Sequence, residues 1–182
     1  MQEQTEYKPG GGELRVVPDH ALDMDWDDIK WFEPDEFPEG SLENLEAKLI
    51  YFLDGYRDLL GERVIPSPLP GGWYRFDGSM TSRHYAVQRL SDAGDVFPQC
   101  DIRKALLVAM GCPWWGGIGV YLDTIGPSGK PEPMLHLDLR PGRVMWMRVK
   151  ENGKERYIYP LRSKQEMQDY MRYLTEWGED DG

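Results

Sequence analysis

The sequence MLHLDL at residues 134–139 predicts a β-strand with one polar and one apolar face. Side chains alternate between the two faces of an extended segment, so His136 and Asp138 point to the same side. The opposite side carries the leucines Leu135, Leu137 and Leu139. An imidazole and a carboxylate two residues apart on one face can share a metal ion, or a proton and a water. Taken alone, His136 is more typical of a half-buried strand histidine bonded to a neighbour, so its role depends on the motifs around it.

Two further stretches carry residues suited to the same site. They are residues 81–97, TSRHYAVQRLSDAGDVF, and residues 116–121, GGIGVY. A zinc site with three protein ligands and an open fourth position takes nitrogen or carboxylate donors from separate strands or loops. His84, an aspartate shortly after it, and His136 meet that requirement. In residues 116–121 the glycines indicate a backbone that a neighbouring strand or a ligand approaches closely.

The totals predict one compact, acidic domain. The chain has 182 residues, the length of a single domain, and 32 acidic against 21 basic residues leave a net charge of -11. This charge argues against nucleic acid or a membrane as the partner, because either would be repelled over most of the surface. No run of about 18 apolar residues is present. The first residues, MQEQTEYKPGGGE, have neither the basic start nor the apolar core of a secretory signal, so we expect synthesis in the cytoplasm.

Hydrophobic spacing and capping residues predict three helices and several short strands. The clearest helix covers residues 42–60, where apolar residues recur at intervals of three and four between Ser41 and Gly61. Two shorter helices are predicted to follow the capping residues Asp101 and Ser163. Strands are predicted at 14–17, 64–65, 73–76, 114–122, 134–139, 144–150 and 156–161, the last two joined by the hairpin turn ENGK. Strands that cluster after a long helix without βαβ alternation favour an α+β domain, built on a small antiparallel sheet flanked by helices.

The composition along the chain suggests where this domain begins and ends. We expect an extended acidic tail over residues 1–30, the main domain over residues 31–162, and a C-terminal helix with a frayed acidic end over residues 163–182. The aspartates of residues 19–28 do not match a calcium loop, because the central glycine and closing glutamate of that motif are missing. They predict a solvated acidic turn.

Two groups of residues are more typical of a core than of a site. Cys100 and Cys112 form no CxxC pair, so they are interpreted as packing thiols. The aromatic residues Trp114, Trp115 and Tyr121 are candidates for lining a groove. Large aromatic residues this close to a Gly-Gly pair more often belong to a core.

The order of these motifs resembles the zinc peptidases of the D-Ala-D-Ala carboxypeptidase group, whose wider class includes lysostaphin-type enzymes and the hedgehog signalling domain. The likeness is closest to the small branch found in bacteriophage and bacterial cell-wall proteins. It rests, in chain order, on the lead-in WFEPDEFP (31–38), the helix at 42–60, Ser82 with His84, Ala93 with Asp95, GGIGVY (116–121) and LHLD (135–138). It covers roughly residues 31–150 and implies an α+β fold of the hedgehog and D-Ala-D-Ala peptidase type.

The resemblance implies that His84, Asp95 and His136 bind zinc. Asp92 stays open as an alternative ligand, since many members of the family have a shorter spacing than the eleven residues from His84 to Asp95. Asp95 is favoured because it lies two residues after Ala93 on a predicted strand, as the ligand does in the family.

The resemblance also implies a carboxylate that takes a proton from the attacking water. Many members carry this acid three residues before the last histidine, where this chain has Pro133. Asp138 is the preferred base and Glu132 the alternative, although Asp138 is equally suited to orienting His136. Arg75 matches the family's arginine on the strand before the first histidine, where it polarises the substrate carbonyl or holds a terminal carboxylate. A surface ion pair is the other interpretation of this arginine.

These implications predict a zinc metallopeptidase that hydrolyses D,D- or L,D-type amide bonds in peptidoglycan stem peptides, encoded by a phage or prophage. Its partners would be peptidoglycan peptides, or virion proteins if the chain is virion-associated; release on lysis is the other route to the wall. The alternative is a non-catalytic structural module of a virion or tail that keeps the peptidase fold. The acid missing at Pro133 favours this alternative, and the net charge of -11 fits poorly with binding an anionic wall.

Overall fold

The computed structural model describes residues 6–7, 15–16 and 18–177, and within them it shows an α+β arrangement of three helices and two sheets. The helices are α1 (Ala47–Leu60), α2 (Ile102–Gly111) and α3 (Lys164–Glu176). The strands are β1 (Glu6–Tyr7), β2 (Arg15–Val16), β3 (Val64–Pro66), β4 (Ala93–Pro98), β5 (Gly117–Tyr121), β6 (Met134–Asp138), β7 (Val144–Glu151) and β8 (Lys154–Ile158). The larger sheet has the order β3-β4-β6-β5-β7-β8, and β1 pairs only with β2.

The larger sheet is mixed, so the expectation of a purely antiparallel sheet is wrong. β6 runs antiparallel to both of its neighbours, β4 and β5, but β7 runs parallel to β5. After β6 the chain reverses within residues 139–143 and crosses the end of β5, where the Val144 N–H bonds to the Gly116 carbonyl at 2.7 Å. A strand that reverses after β6 and then pairs with the far side of β5 must run parallel to β5. The predicted hairpin between β7 and β8 is confirmed, with Asn152 and Gly153 at positive φ as a two-residue turn requires.

The first helix begins later than its apolar spacing predicted. Residues Leu42–Asn44 form a short 3-10 helix and α1 starts at Ala47, so the prediction of one helix over 42–60 is wrong at its start. The intervening backbone bonds to another segment: the Glu46 N–H bonds to the Ser91 carbonyl at 2.9 Å, and the Ser91 N–H bonds to the Asn44 carbonyl at 2.8 Å. Backbone groups that pair with Ser91 cannot also complete a helix. The end at Gly61 is as predicted, with φ 67° in the left-handed region.

The two faces of the larger sheet are chemically different, as the alternation in β6 predicted. Leu135 and Leu137 are fully buried. They belong to a single apolar core with residues of α1, α2 and the neighbouring strands, including Leu49, Leu53, Ala105, Ile118, Val120 and Met147. Burying each leucine, isoleucine, valine or methionine of this core stabilises the fold by about 1.5–3 kcal/mol. The polar residues His136 and Asp138 therefore occupy the face turned away from this core.

Two segments predicted to lie outside the main domain contribute to this core. Ala21, Met24 and Ile29 are buried, so the described part of the acidic segment packs against the domain instead of extending from it. Tyr170 and Leu174 of α3 are buried in the same core. The aspartates among residues 19–28 lie in and around two 3-10 helices, Ala21–Asp23 and Trp26–Asp28, consistent with an acidic turn.

The predicted strand at residues 73–76 is wrong. Trp73 follows a 3-10 helix (Pro70–Gly72) and is fully buried. Its ring makes an edge-to-face contact with Phe37, with 4.9 Å between the ring centroids. Arg75 then pairs with the loop that follows: its N–H bonds to the His84 carbonyl at 2.7 Å, and the Ala86 N–H bonds to its carbonyl at 2.8 Å. This short bridge draws the loop that carries His84 toward the sheet.

The glycines of residues 116–121 make room for neighbouring chain on the polar face. A Cβ on Gly116 would lie 1.7 Å from the Arg140 carbonyl oxygen, and one on Gly117 would lie 2.2 Å from the Asp138 carboxylate. A Cβ on Gly119 would lie 2.5 Å from the indole of Trp146. The close approach predicted from the sequence is therefore confirmed, with neighbouring strand and turn residues as the groups that approach.

We predict that Gly119→Ala destabilises the protein by about 1–3 kcal/mol, because the added methyl group overlaps the rigid indole of Trp146. Urea denaturation should show a lower midpoint with an unchanged slope. Gly111→Ala is the matched control, since a Cβ at this helical position meets nothing within 4 Å. Equal midpoints for Gly119→Ala and the wild type would contradict the packing of Trp146 over this glycine.

Candidate metal centre

Three side chains from separate segments converge on the polar face. Asp95 in β4 and His136 in β6 are direct cross-strand partners, and His84 reaches them from the loop before β4. The Nδ1 atom of His136 lies 3.0 Å from Oδ1 of Asp95 and 2.9 Å from Nε2 of His84. The third side of the triangle, from His84 Nε2 to Asp95 Oδ1, measures 3.5 Å. All three residues are buried, so their ligand atoms are held in place by the fold.

This triangle fits a metal ion. Ligand atoms about 2.0–2.1 Å from a tetrahedral zinc ion lie roughly 3.3 Å from one another, close to the observed separations of 2.9, 3.0 and 3.5 Å. The group formed by His84, Asp95 and His136 could therefore hold a metal ion. These are the three ligands predicted from the sequence, and the structure brings them together.

The outer nitrogens of both histidines are directed at hydrogen-bond acceptors. Nε2 of His136 lies 3.0 Å from Oδ2 of Asp138, and Nδ1 of His84 lies 3.5 Å from the Trp73 carbonyl oxygen. A proton on each outer nitrogen leaves Nδ1 of His136 and Nε2 of His84 as the metal-facing atoms. Carboxylate and carbonyl partners of this kind orient metal-binding histidines and raise their basicity.

Asp138 lies behind His136 and is fully buried. Arg140 donates to both of its carboxylate oxygens from Nε at 2.8 Å, and the missing side chain of Gly117 provides the space for this carboxylate. Both oxygens are thus engaged away from the open side of the triangle. Of the two roles that the sequence left open for Asp138, the geometry favours orienting His136 over serving as the base.

The other predicted acids lie apart from the triangle. Asp92 is buried with its carboxylate held by Arg83, whose Nε donates to Oδ1 at 2.7 Å, so it is engaged elsewhere and Asp95 takes the ligand position. The Glu132 carboxylate accepts a hydrogen bond from Ser128 and packs against Gly126. It is not among the residues that line the cavity next to the triangle.

A cavity of about 850 Å³ opens beside the three ligand residues. Four arginines line it: Arg75, Arg83, Arg140 and Arg148. The only acids in its described lining are Asp95 and Asp123. The described lining thus contains more arginines than acids, although the protein as a whole carries a net charge of -11.

Arg75 differs from the other three cavity arginines. Arg83, Arg140 and Arg148 form ion pairs with Asp92, Asp138 and Asp123 respectively. Arg75 donates from Nε to the Gly71 carbonyl at 2.7 Å, and among the described residues it has no carboxylate partner. Within the described part of the chain, the surface ion pair considered from the sequence is not formed, so the terminal nitrogens of Arg75 can bind a ligand.

The aromatic residues near the glycines divide between core and cavity. Trp115 is buried in the core, and Trp114 stacks on Phe52 with 5.3 Å between the ring centroids. Tyr121, by contrast, lines the cavity. Both cysteines are free, as expected of packing thiols.

Trp146 and Arg140 belong to the site although they were not predicted from the sequence. The indole of Trp146 packs against the His136 ring at 5.0 Å between centroids, and the Arg140 guanidinium lies over that indole at 5.3 Å. Trp146 faces the site because β7 pairs with β5 in parallel, which puts it opposite Gly119. Val144, Trp146 and Arg148 alternate along β7 and so share one face of the strand. This alternation could have placed Trp146 in the site only if the pairing of β7 with β5 had been known.

The protonation of the triangle follows from its surroundings. Burial lowers the pKa of His84, so this ring is neutral at neutral pH. Burial alone would lower the pKa of His136 as well, but its hydrogen bonds to Asp138 and Asp95 raise it to about 9. Burial would raise the pKa of Asp95, but the neighbouring histidines hold it well below its usual range. Without a metal, His136 is therefore an imidazolium that donates to Asp95 and to Asp138.

Comparisons of the chain with protein-family models, curated proteins and solved structures find no match. The resemblance to the zinc peptidase family therefore rests on the motifs of the sequence alone. Among the described residues, no helix combines the length and apolar character needed to cross a membrane.

We predict that Asp138→Asn weakens metal binding about 10- to 100-fold, with zinc as the probe ion, because an amide orients and polarises His136 less well than a carboxylate. Asp92→Asn is a matched control, since Asp92 is an equally buried aspartate paired with an arginine but makes no bond to a ligand histidine. Competition with a chelating dye measures both affinities. Equal losses in the two variants would contradict the orienting role of Asp138.

The affinity of the site for a divalent metal ion, measured with zinc as the probe, should rise with pH until about pH 9. Because the pKa of His136 is raised to about 9, its Nδ1 is protonated at neutral pH and must release that proton before it binds a metal. The apparent affinity should therefore fall about tenfold for each unit of pH below 9 and level off above it. Titration calorimetry in buffers of different ionisation enthalpy should detect about one proton released near pH 7. An affinity that does not change between pH 7 and 9 would exclude the protonated state of His136.

Proposed function

We propose that this chain is a zinc-dependent hydrolase that cleaves amide bonds in peptidoglycan stem peptides and has a fold of the hedgehog and D-Ala-D-Ala peptidase type. The observation that carries the proposal is the buried triangle of His84, Asp95 and His136 beside an open cavity lined by four arginines. Three protein ligands with an accessible remaining position are typical of catalytic zinc sites, whereas structural zinc sites are closed by four. The phage or prophage origin of the chain rests on the sequence resemblance.

Two imidazole nitrogens and one carboxylate oxygen suit zinc and other transition metals such as Fe(II), whereas magnesium and calcium prefer sets of oxygen ligands. Among the transition metals, we infer zinc from the resemblance of the sequence to zinc peptidases. The separations of 2.9–3.5 Å between the donor atoms match a tetrahedral ion. When bound, such an ion supplies Lewis-acid activation for attack by water on an amide carbonyl.

The cavity suits a peptide that carries a free carboxylate. The terminal nitrogens of Arg75 have no acidic partner among the described residues and can form a two-pronged bond with a carboxylate. Arg75 thus gives the cavity a local positive charge for an anionic peptide, even though the protein as a whole carries a net charge of -11. This cation is the feature that reconciles an acidic protein with an anionic wall.

A second candidate function is favoured by the placement of the acids. Asp138 is buried and bonded to Arg140, and Glu132 is bonded to Ser128 outside the cavity lining. Apart from Asp95, the described lining contains only Asp123, which is paired with Arg148 at 3.0 Å. With no unpaired carboxylate beside the triangle to accept a proton, a virion or tail module that keeps the metal but has lost turnover is the alternative.

Hydrolysis by the zinc-loaded protein separates these functions. We expect the wild type to release peptides from purified peptidoglycan, or to cleave D-Ala-D-Ala or L-Ala-D-Glu peptides, as measured by chromatography of the products. His136→Ala should lose this activity by at least about 10³-fold, since it removes a ligand and the charge stabilisation that the metal provides. His20→Ala is the matched control, because His20 is exposed and lies outside the site.

Equal signals from the wild type and His136→Ala would remove the enzymatic function. Zinc binding by the wild type without hydrolysis of any of these substrates would instead support the non-catalytic module.

A further inference from the structure

Tyr121 is the last residue of β5 and lies on the same face of the sheet as the triangle. Gly119, two residues before it, is the cross-strand partner of His136, so Tyr121 is a diagonal neighbour of that histidine. The cavity beside the triangle is lined by Tyr121 as well as by His84, Asp95 and His136. Tyr121 therefore forms part of the wall of the space in which a substrate would meet the metal.

The ring of Tyr121 is held on two sides. The Arg148 guanidinium lies over the ring at 4.7 Å from its centroid. Nε1 of Trp146 donates a hydrogen bond to the Tyr121 hydroxyl oxygen at 3.2 Å, and the same indole packs on the His136 ring. The hydroxyl is thus positioned through a side chain that also contacts a metal ligand.

The hydrogen of this hydroxyl group has no acceptor among the described residues. The oxygen accepts a hydrogen bond from Trp146, and among the described residues the hydroxyl group forms no other hydrogen bond. Because Trp146 Nε1 can only donate, the tyrosine must direct its own O–H elsewhere. Burial, reinforced by the charge of Asp95, raises the pKa of Tyr121 to about 12, so the proton is retained at neutral pH.

We propose that Tyr121 is a catalytic residue whose O–H donates a hydrogen bond to the oxygen of the scissile carbonyl. The inference rests on the proposed function. In amide hydrolysis a bond forms between the water oxygen and the carbonyl carbon, and the electrons of the C=O double bond move onto the carbonyl oxygen. The C–N bond then breaks and a proton from the water ends on the leaving amine. Tyr121 keeps its proton throughout and stabilises the charge that develops on the oxygen.

This role is distinct from that of Arg75. Arg75 is exposed and bonded to Gly71 in the turn after β3, which suits a charged end of the substrate. Tyr121 is only partly exposed and lies beside the residues that pack on the triangle, which suits the reacting carbonyl. A neutral donor fixed before the reaction stabilises developing charge without the cost of reorganising water.

The test is Tyr121→Phe, which removes only the hydroxyl group. We expect kcat to fall about 10²- to 10³-fold with little change in KM, as for the loss of one oxyanion donor. As a readout independent of turnover, calorimetry should show about 10²-fold weaker binding of a phosphinate analogue of D-Ala-D-Ala to the zinc-loaded protein. Binding of D-Ala-D-Ala itself and of zinc should be unchanged. Tyr159→Phe is the matched control, since Tyr159 also has an arginine over its ring but does not line this cavity.

Several results would overturn this role. Equal phosphinate affinity of Tyr121→Phe and the wild type, with the wild type active, would exclude Tyr121 and leave the proposed function standing. A matching loss of zinc affinity in Tyr121→Phe would show that the residue acts only through packing. A wild type that hydrolyses none of the peptides would overturn the proposed function and this catalytic role together.

Discussion

The pairing of Asp95 with His136 across β4 and β6 is the constraint on which the rest of the structure depends. A shift of one residue in either strand would move its polar side chains to the opposite face of the sheet. That shift is opposed by Leu135 and Leu137, which are buried in the core and would become exposed with it. Hydrophobic burial on one face thus fixes the geometry of the ionisable groups on the other, with each buried leucine contributing about 1.5–3 kcal/mol.

The ionisable groups on the polar face form a chain of alternating charge. Asp95, protonated His136, Asp138 and Arg140 are joined in that order by hydrogen bonds of about 3 Å, and their charges cancel. Breaking a buried pair of this kind is strongly destabilising, because it leaves an uncompensated charge in the interior. A metal ion that displaced the proton on His136 would occupy a position where the protein already holds a positive charge. The metal-free site is therefore preorganised for a cation.

The arginines around the cavity differ in how their charges are compensated. Arg83, Arg140 and Arg148 each pair with an aspartate, which balances their charge and fixes their side chains in place. The glycines of residues 116–121 contribute through what they lack, since the Asp138 carboxylate and the Trp146 indole occupy the space of the missing side chains. Arg75 has no carboxylate partner among the described residues, so it supplies the positive charge that a chain of net charge -11 offers to an anionic ligand in this cavity.

The sequence by itself determined the features that depend on local periodicity and on motif spacing. These were the two faces of β6, the core of α1 with its end at Gly61, and the hairpin turn after β7. The sequence also grouped His84 and His136 with an aspartate, but the preference for Asp95 over Asp92 came from the family resemblance, and it is the structure that brings Asp95 to the two histidines. Only the tertiary structure decided the start of α1, because the backbone around Leu45 bonds to Ser91, a residue distant in sequence. It also decided that Asp138 orients His136, since its engagement by Arg140 depends on the turn after β6. Tyr121 was already a candidate for lining a groove, and the pairing of β5 with β6 placed it on the face of the triangle. Trp146 joined the site only through the parallel pairing of β5 with β7, which arises from long-range backbone hydrogen bonds that no local pattern in the chain records.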